Sequence, residues 1–152
     1  MTPTTAVAGA TLGALNCAGA TLTGTLTSGV AASSVSIAVP YTGSNGGAYA
    51  AISVNSTGVT GLNAGAAAST FTSGAGNLSL NVTGTPASGG IAAFALSLGG
   101  QNCTVNATVG SGVNLSMTVS NPASLTVGTP ANYGVTVTNA GTGAATTATV
   151  MM

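Results

Sequence analysis

The chain has 152 residues and contains no Lys, Arg, Asp, Glu or His, where an average soluble chain of this length carries roughly 38 charged side chains. Only Cys17, Cys103, Tyr41, Tyr49 and Tyr133 are left for proton transfer, and the many Ser and Thr hydroxyls have no adjacent base to activate them, so no enzyme is expected. Two cysteines cannot fill a tetrahedral zinc shell, a calcium cage without carboxylates is weak, and no cation can lie against phosphates, which predicts no metal, no cofactor and no nucleic-acid partner.

Residues 1–14 read as an N-terminal extension. Met1-Thr2-Pro3-Thr4-Thr5 lacks the basic region and apolar core of a secretory leader, so either a leader has been removed or the sequence is a piece of a longer chain. Beyond it, 24 glycines together with many Thr and Ser oppose long helices. Strict alternation sets in at Val35, Ile37, Val39 and Tyr41, and continues in Ala50, Ile52 and Val54, then Leu78, Leu80 and Val82. Phe94, Leu96 and Leu98 form the next run, followed by Cys103, Val105, Ala107 and Val109. Gly, Asn, Ser or Pro clusters bound each run, the pattern of short half-buried strands joined by turns. The expected fold is all-β, an antiparallel β-sandwich over residues 15–110.

After Gly110-Ser111-Gly112, a flexible joint, a second unit begins over residues 113–152. Its strands are expected at Leu115 to Val119, Leu125 to Val127, Tyr133 to Val137 and Ala148 to Met152. Four strands in so short a segment are too few to close two sheets around a private core, so this unit reads as incomplete. Mean hydropathy is +0.58, yet the most apolar stretch, Ile91 to Leu98, already contains Ser97 and falls far short of the about 20 residues of a spanning helix. Aromatics at 3% are too few for the girdles of a membrane barrel. No membrane span is predicted. A threonine-row solenoid with ice-binding activity is suggested by Thr21, Thr23, Thr25 and Thr27 and by Thr146, Thr147 and Thr149, but no constant repeat carries through the chain.

Several segments, in order, carry a resemblance. Leu15-Asn16-Cys17, Val39-Pro40-Tyr41-Thr42-Gly43-Ser44-Asn45-Gly46-Gly47, Ser56-Thr57-Gly58-Val59-Thr60-Gly61-Leu62, Gly84-Thr85-Pro86 and Gly99-Gly100-Gln101-Asn102-Cys103 together resemble an immunoglobulin-like repeat of very large secreted bacterial surface proteins. The resemblance covers residues 15–109. In the tail, Gly128, Tyr133, Val135, Val137, Asn139 and Gly141 are similar to the Gly-x4-Tyr-x-Val-x-Val-x-Asn-x-Gly pattern of a repeated bacterial envelope β-sandwich, although Gly134 stands where that pattern usually has threonine. These resemblances imply stalk or array domains of exported proteins, located outside the cell or on its surface, with no catalytic residues to carry over.

Cys17 and Cys103 lie near the first and last strands of the proposed sandwich and are expected to pair, closing a loop worth about 4.5 kcal/mol by the chain-entropy estimate. Two buried free thiols are the alternative, and a redox pair is disfavoured because no Cys-x-x-Cys occurs. Tyr41, Tyr49 and Asn45 are the candidate ligand-binding residues of a glycan-recognising module, against the plainer reading of tyrosines that fill a core edge. Six Asn-x-Ser/Thr triplets, at Asn55, Asn77, Asn81, Asn102, Asn106 and Asn114, follow from composition. The sequence therefore points first to a structural spacer or packing module, next to an adhesin-type module that grips a glycan or host surface, and then to an ice-binding protein. Without charges to guard its sheet edges, the chain is expected to associate by strand addition with neighbouring domains or other copies.

Overall fold

Wherever small β-branched and polar residues alternate in the first unit, the chain forms strand and turns the apolar parity inward. The computed structural model describes residues 9–122, 124–141, 143, 145 and 149, is all-β, and has no helix among them. It divides into two compact units, residues 1–110 and 111–152.

The first unit runs through β1 (Ala14–Leu15), β2 (Thr21–Thr23), β3 (Leu26–Thr27), β4 (Val35–Ser44), β5 (Ala48–Tyr49) and β6 (Ile52–Asn55). It continues through β7 (Thr57–Gly58), β8 (Leu62–Ala66), β9 (Ser69–Thr70), β10 (Gly74–Gly84), β11 (Gly90–Leu98) and β12 (Gln101–Gly110). One sheet has the order β1-β4-β10-β8-β6, with β2 also paired to β4, and the other has the order β3-β12-β11-β7. A short β5-β9 pair stands apart from both.

The long strands β4 and β10 carry the register of the first sheet, placing Leu78 opposite Val39, Leu80 opposite Ile37 and Val82 opposite Val35. These side chains are buried, as are Ala92, Phe94 and Leu96 of β11 and Val105, Ala107 and Val109 of β12 from the other sheet. Each fully buried Leu, Ile, Val or Phe contributes about 1.5–3 kcal/mol relative to exposure. That supply is sufficient for a core only because each long strand turns a single parity inward, odd positions in β4 and β12 and even positions in β10 and β11.

One sequence expectation is corrected here, and the expected all-β sandwich has one feature that alternation did not announce. Residues 9–14 are not outside the sandwich: Leu12 belongs to the core and the Leu12 N–H donates to the Gly99 carbonyl at 2.9 Å. An isolated Leu between two glycine-flanked turns gives no alternation to detect. Nor is the fold purely antiparallel, because β3 runs parallel to β12, with Leu26 opposite Val109 and Thr27 opposite Gly110. The chain leaves one sheet at the end of β2, turns at Gly24 (φ +89°), and joins the edge of the other as β3. It thereby covers the two sheets' common border with a few residues.

The second unit contains β13 (Leu115–Ser120) and β14 (Gly134–Asn139), paired antiparallel with Met117 opposite Val137 and Val119 opposite Val135. The strand expected at Leu125 to Val127 does not form, and both residues are exposed. An apolar doublet between Pro122 and Gly128 has neither the length nor a neighbouring ladder to hold it extended. Ala148, Val150 and Met152, expected in a further strand, lie outside the described residues, as do Thr146 and Thr147. Asn139 organises the end of the hairpin: its Oδ1 accepts the N–H groups of Asn114 and Gly141, both at 3.0 Å, and its Nδ2 donates to the Gly143 carbonyl at 2.7 Å. One face of the hairpin carries Leu115, Met117, Val119 and Val137, all exposed, and the other carries Ser and Thr. No helix among the described residues is long and apolar enough to cross a membrane.

Candidate functional site

Tyr41, Asn45 and Tyr49 lie near one another in sequence, and the structure places them at one end of the sandwich in internal roles. Tyr41 projects from the inward parity of β4 and is 4% exposed. Its ring meets that of Phe71 edge-on with centroids 4.7 Å apart, and its hydroxyl oxygen accepts the Thr72 N–H at 3.0 Å. Tyr49, half-buried on β5, tilts against the same Phe71 at 4.6 Å. Phe71 is thus the centre of the aromatic group. Sequence reasoning missed it because it sits alone between Thr70 and Thr72 with no alternating neighbours. A buried ring offers no stacking surface, so Tyr41 is not placed as a ligand contact.

Asn45 is exposed, yet its amide is engaged on both sides. Its Oδ1 accepts the N–H of Gly47 at 2.9 Å and that of Thr11 at 3.1 Å, and its Nδ2 donates to the Gly9 carbonyl at 3.1 Å. The side chain closes an Asx turn on its own loop and latches that loop to residues 9–11. These three bonds leave a ligand one remaining amide hydrogen, since an amide has two donor hydrogens and one acceptor oxygen.

The Ser-Thr-Gly-Val-Thr-Gly-Leu segment and the Gly-Thr-Pro corner meet at the other end. Buried Ser56 exchanges bonds with Leu62: its N–H donates to the Leu62 carbonyl at 2.9 Å and its Oγ accepts the Leu62 N–H at 3.2 Å. Gly61, at φ +93°, presses against the Thr85 carbonyl, and Gly84 presses in turn against Gly61. Beside this corner runs an open groove of about 460 Å³ lined by Asn55, Thr60, Asn63 and Thr83 among others. Its amides are partly spent, since Asn63 Nδ2 donates to Ser53 Oγ at 3.0 Å and to Asn55 Oδ1 at 2.9 Å.

Cys17 and Cys103 form a disulfide with Cα atoms 5.9 Å apart, spanning 86 residues. Cys17 occupies the turn between β1 and β2 on one sheet, and Cys103 lies on β12 of the other. The bond therefore clips the two sheets together where the first and last strands lie side by side. Further along, a slot of about 190 Å³ opens between Ala20–Leu22 and Val105–Thr108, lined also by Ile37.

The threonine row at Thr21, Thr23, Thr25 and Thr27 is broken by the strand's change of sheet, since Thr21 and Thr23 pair with β4 while Thr27 pairs with β12. All six Asn-x-Ser/Thr asparagines are exposed. Compared with family models, curated proteins and solved structures, the chain matches none.

Proposed function

We propose that this chain is a non-enzymatic structural module, a stiff spacer or packing unit of an exported bacterial surface protein, stalk or filament. The observation that carries this reading is the Cys17–Cys103 bond between the β1–β2 turn and β12, close to the two ends of the first unit. Tension entering near residue 14 and leaving near residue 110 passes through the disulfide and bypasses every strand from β2 to β11. A disulfide also fits an oxidising compartment, in keeping with a secreted or surface location.

Three further features support the reading. The motifs that resemble immunoglobulin-like repeats are spent on building the fold: Tyr41 and Asn45 in internal bonds, Gly61 and Gly84 in a close backbone approach. The absence of any acid or base leaves shape and neutral hydrogen bonding as the chemistry on offer. The hairpin's exposed apolar face suits coverage by a neighbouring domain of the same protein or another copy.

Single-molecule stretching of the full chain tests the mechanical role. The oxidised protein should withhold about 290 Å of contour length, at about 3.4 Å for each residue in the closed loop, and release it only with reductant. A panel of polysaccharides and host-surface glycans tests the rest. The spacer binds none of them in a saturable manner, whereas specific micromolar binding to one would replace this reading with the adhesin-type module, and thermal hysteresis would replace it with ice binding.

A further inference from the structure

We propose that Asn45 is a site of spontaneous self-modification, in which its side-chain amide is lost as ammonia and the latch on residues 9–11 is released. The inference is independent of the spacer reading and concerns the chemistry of one loop.

Asn45-Gly46 is the one Asn-Gly pair among the asparagines of the sequence. In such a pair the following backbone nitrogen can reach the side-chain carbonyl carbon, because glycine presents no Cβ to block the approach and tolerates the left-handed backbone found here, φ +73°. The environment assists at the carbonyl end. Negative charge that develops on Asn45 Oδ1 during attack faces two N–H donors, those of Gly47 at 2.9 Å and Thr11 at 3.1 Å, the arrangement that stabilises an oxyanion. The Gly46 N–H, which must lose its proton to hydroxide, donates to Ser44 Oγ at 3.1 Å, a bond that has to open before the nitrogen can be deprotonated. Asn45 is exposed, so water and hydroxide reach it. By contrast Asn77, Asn81, Asn102 and Asn106 lie within long strands and precede Leu, Val, Cys and Ala.

The step balances with water alone. The Gly46 nitrogen, having given its proton to hydroxide, bonds to Asn45 Cγ; the Cγ–Nδ2 bond breaks and ammonia leaves, taking up a proton from water. The resulting five-membered imide is opened by one water molecule at either carbonyl, giving aspartate or isoaspartate. In aspartate a carboxylate oxygen takes the place of Nδ2, and in isoaspartate Cγ becomes a main-chain carbonyl bonded to Gly46 N while the carboxylate sits on Cα; neither product keeps the side-chain donor to the Gly9 carbonyl. The change also installs the first ionised side chain in a chain that otherwise has none.

The test is incubation of the full chain at 37 °C at pH 5 and pH 9, followed by isoelectric focusing and peptide mapping. The expected result is a single acidic band, a mass gain of about 1 Da confined to the peptide containing residues 44–47, and reactivity of that peptide with an isoaspartate methyltransferase. Formation should be at least tenfold faster at pH 9, because hydroxide generates the attacking nitrogen anion. In the isoaspartate-containing acidic fraction, purified by ion exchange, where the Asn45 oxygen that accepted the Thr11 N–H has moved into the main chain, the Thr11 amide should exchange with solvent at least tenfold faster than in the unmodified protein. Asn45→Gln should abolish the band, and Asn106→Gln, a control on β12, should leave it unchanged. No acidic band after prolonged incubation at pH 9, or a band that maps to another asparagine, overturns the site. An unchanged Thr11 exchange rate in the modified fraction overturns the release of the latch.

Discussion

Tyr41 and Gly76 face each other across β4 and β10, and the tyrosine ring lies over the space that a side chain at Gly76 would fill. The glycine is what permits a large aromatic on this strand to fold down onto Phe71 and accept the Thr72 N–H. Gly76→Val should expel the ring and destabilise the first unit by about 1–3 kcal/mol, the cost of overpacking. Tyr41→Phe keeps the ring and removes only the hydroxyl bond, so its cost should be about 1 kcal/mol. Urea unfolding of both variants checks the order, and equal losses would contradict it.

The Cys17–Cys103 clip constrains the unfolded chain over 86 residues. Replacing both cysteines by alanine should lower stability by about 2–5 kcal/mol, with the loss located largely in the unfolded state. Calorimetry of the double variant against the oxidised parent measures it directly.

Freshly prepared protein should have a melting temperature that is flat between pH 4 and pH 7. Stability changes with pH only where folded and unfolded states bind different numbers of protons. No carboxylate side chain is present to contribute a depressed folded pKa, lost on acidification, and no His or Lys to contribute a raised one, lost as pH rises. The same absence of ion pairs predicts indifference to moderate salt. A shift of many degrees across this pH window would show a titrating group that the composition denies.

Gly61 adopts φ +93°, and a Cβ on it would run into the Thr85 carbonyl, just as a Cβ on Gly84, at φ +101°, would run into the Gly61 carbonyl. Gly61→Ala meets both an unfavourable backbone region and backbone atoms that have no room to yield. Its cost should exceed about 1 kcal/mol. Gly29→Ala provides the comparison, because its φ is also positive at +75° while its surroundings are open. The difference between the two variants reports the close approach alone.

Much of the first unit was legible from alternation, because a strand with one buried face must repeat every second residue. Val35 to Tyr41, Leu78 to Val82 and Cys103 to Val109 announced their inward faces in this way. The composition likewise settled, without any fold, that this chain carries no Lys, Arg, Asp, Glu or His side chain. What sequence could not supply was partnership. Leu12 joins the core, Phe71 gathers two tyrosines, and β3 pairs parallel with β12 through residues far apart along the chain. Leu125 and Val127 show the converse, an apolar doublet that stays irregular among the described residues for want of a ladder. Periodicity is a local property written by neighbouring side chains, whereas pairing, burial and the spending of Asn45 on a latch depend on which distant backbone arrives alongside, and that is decided only when the sheets close.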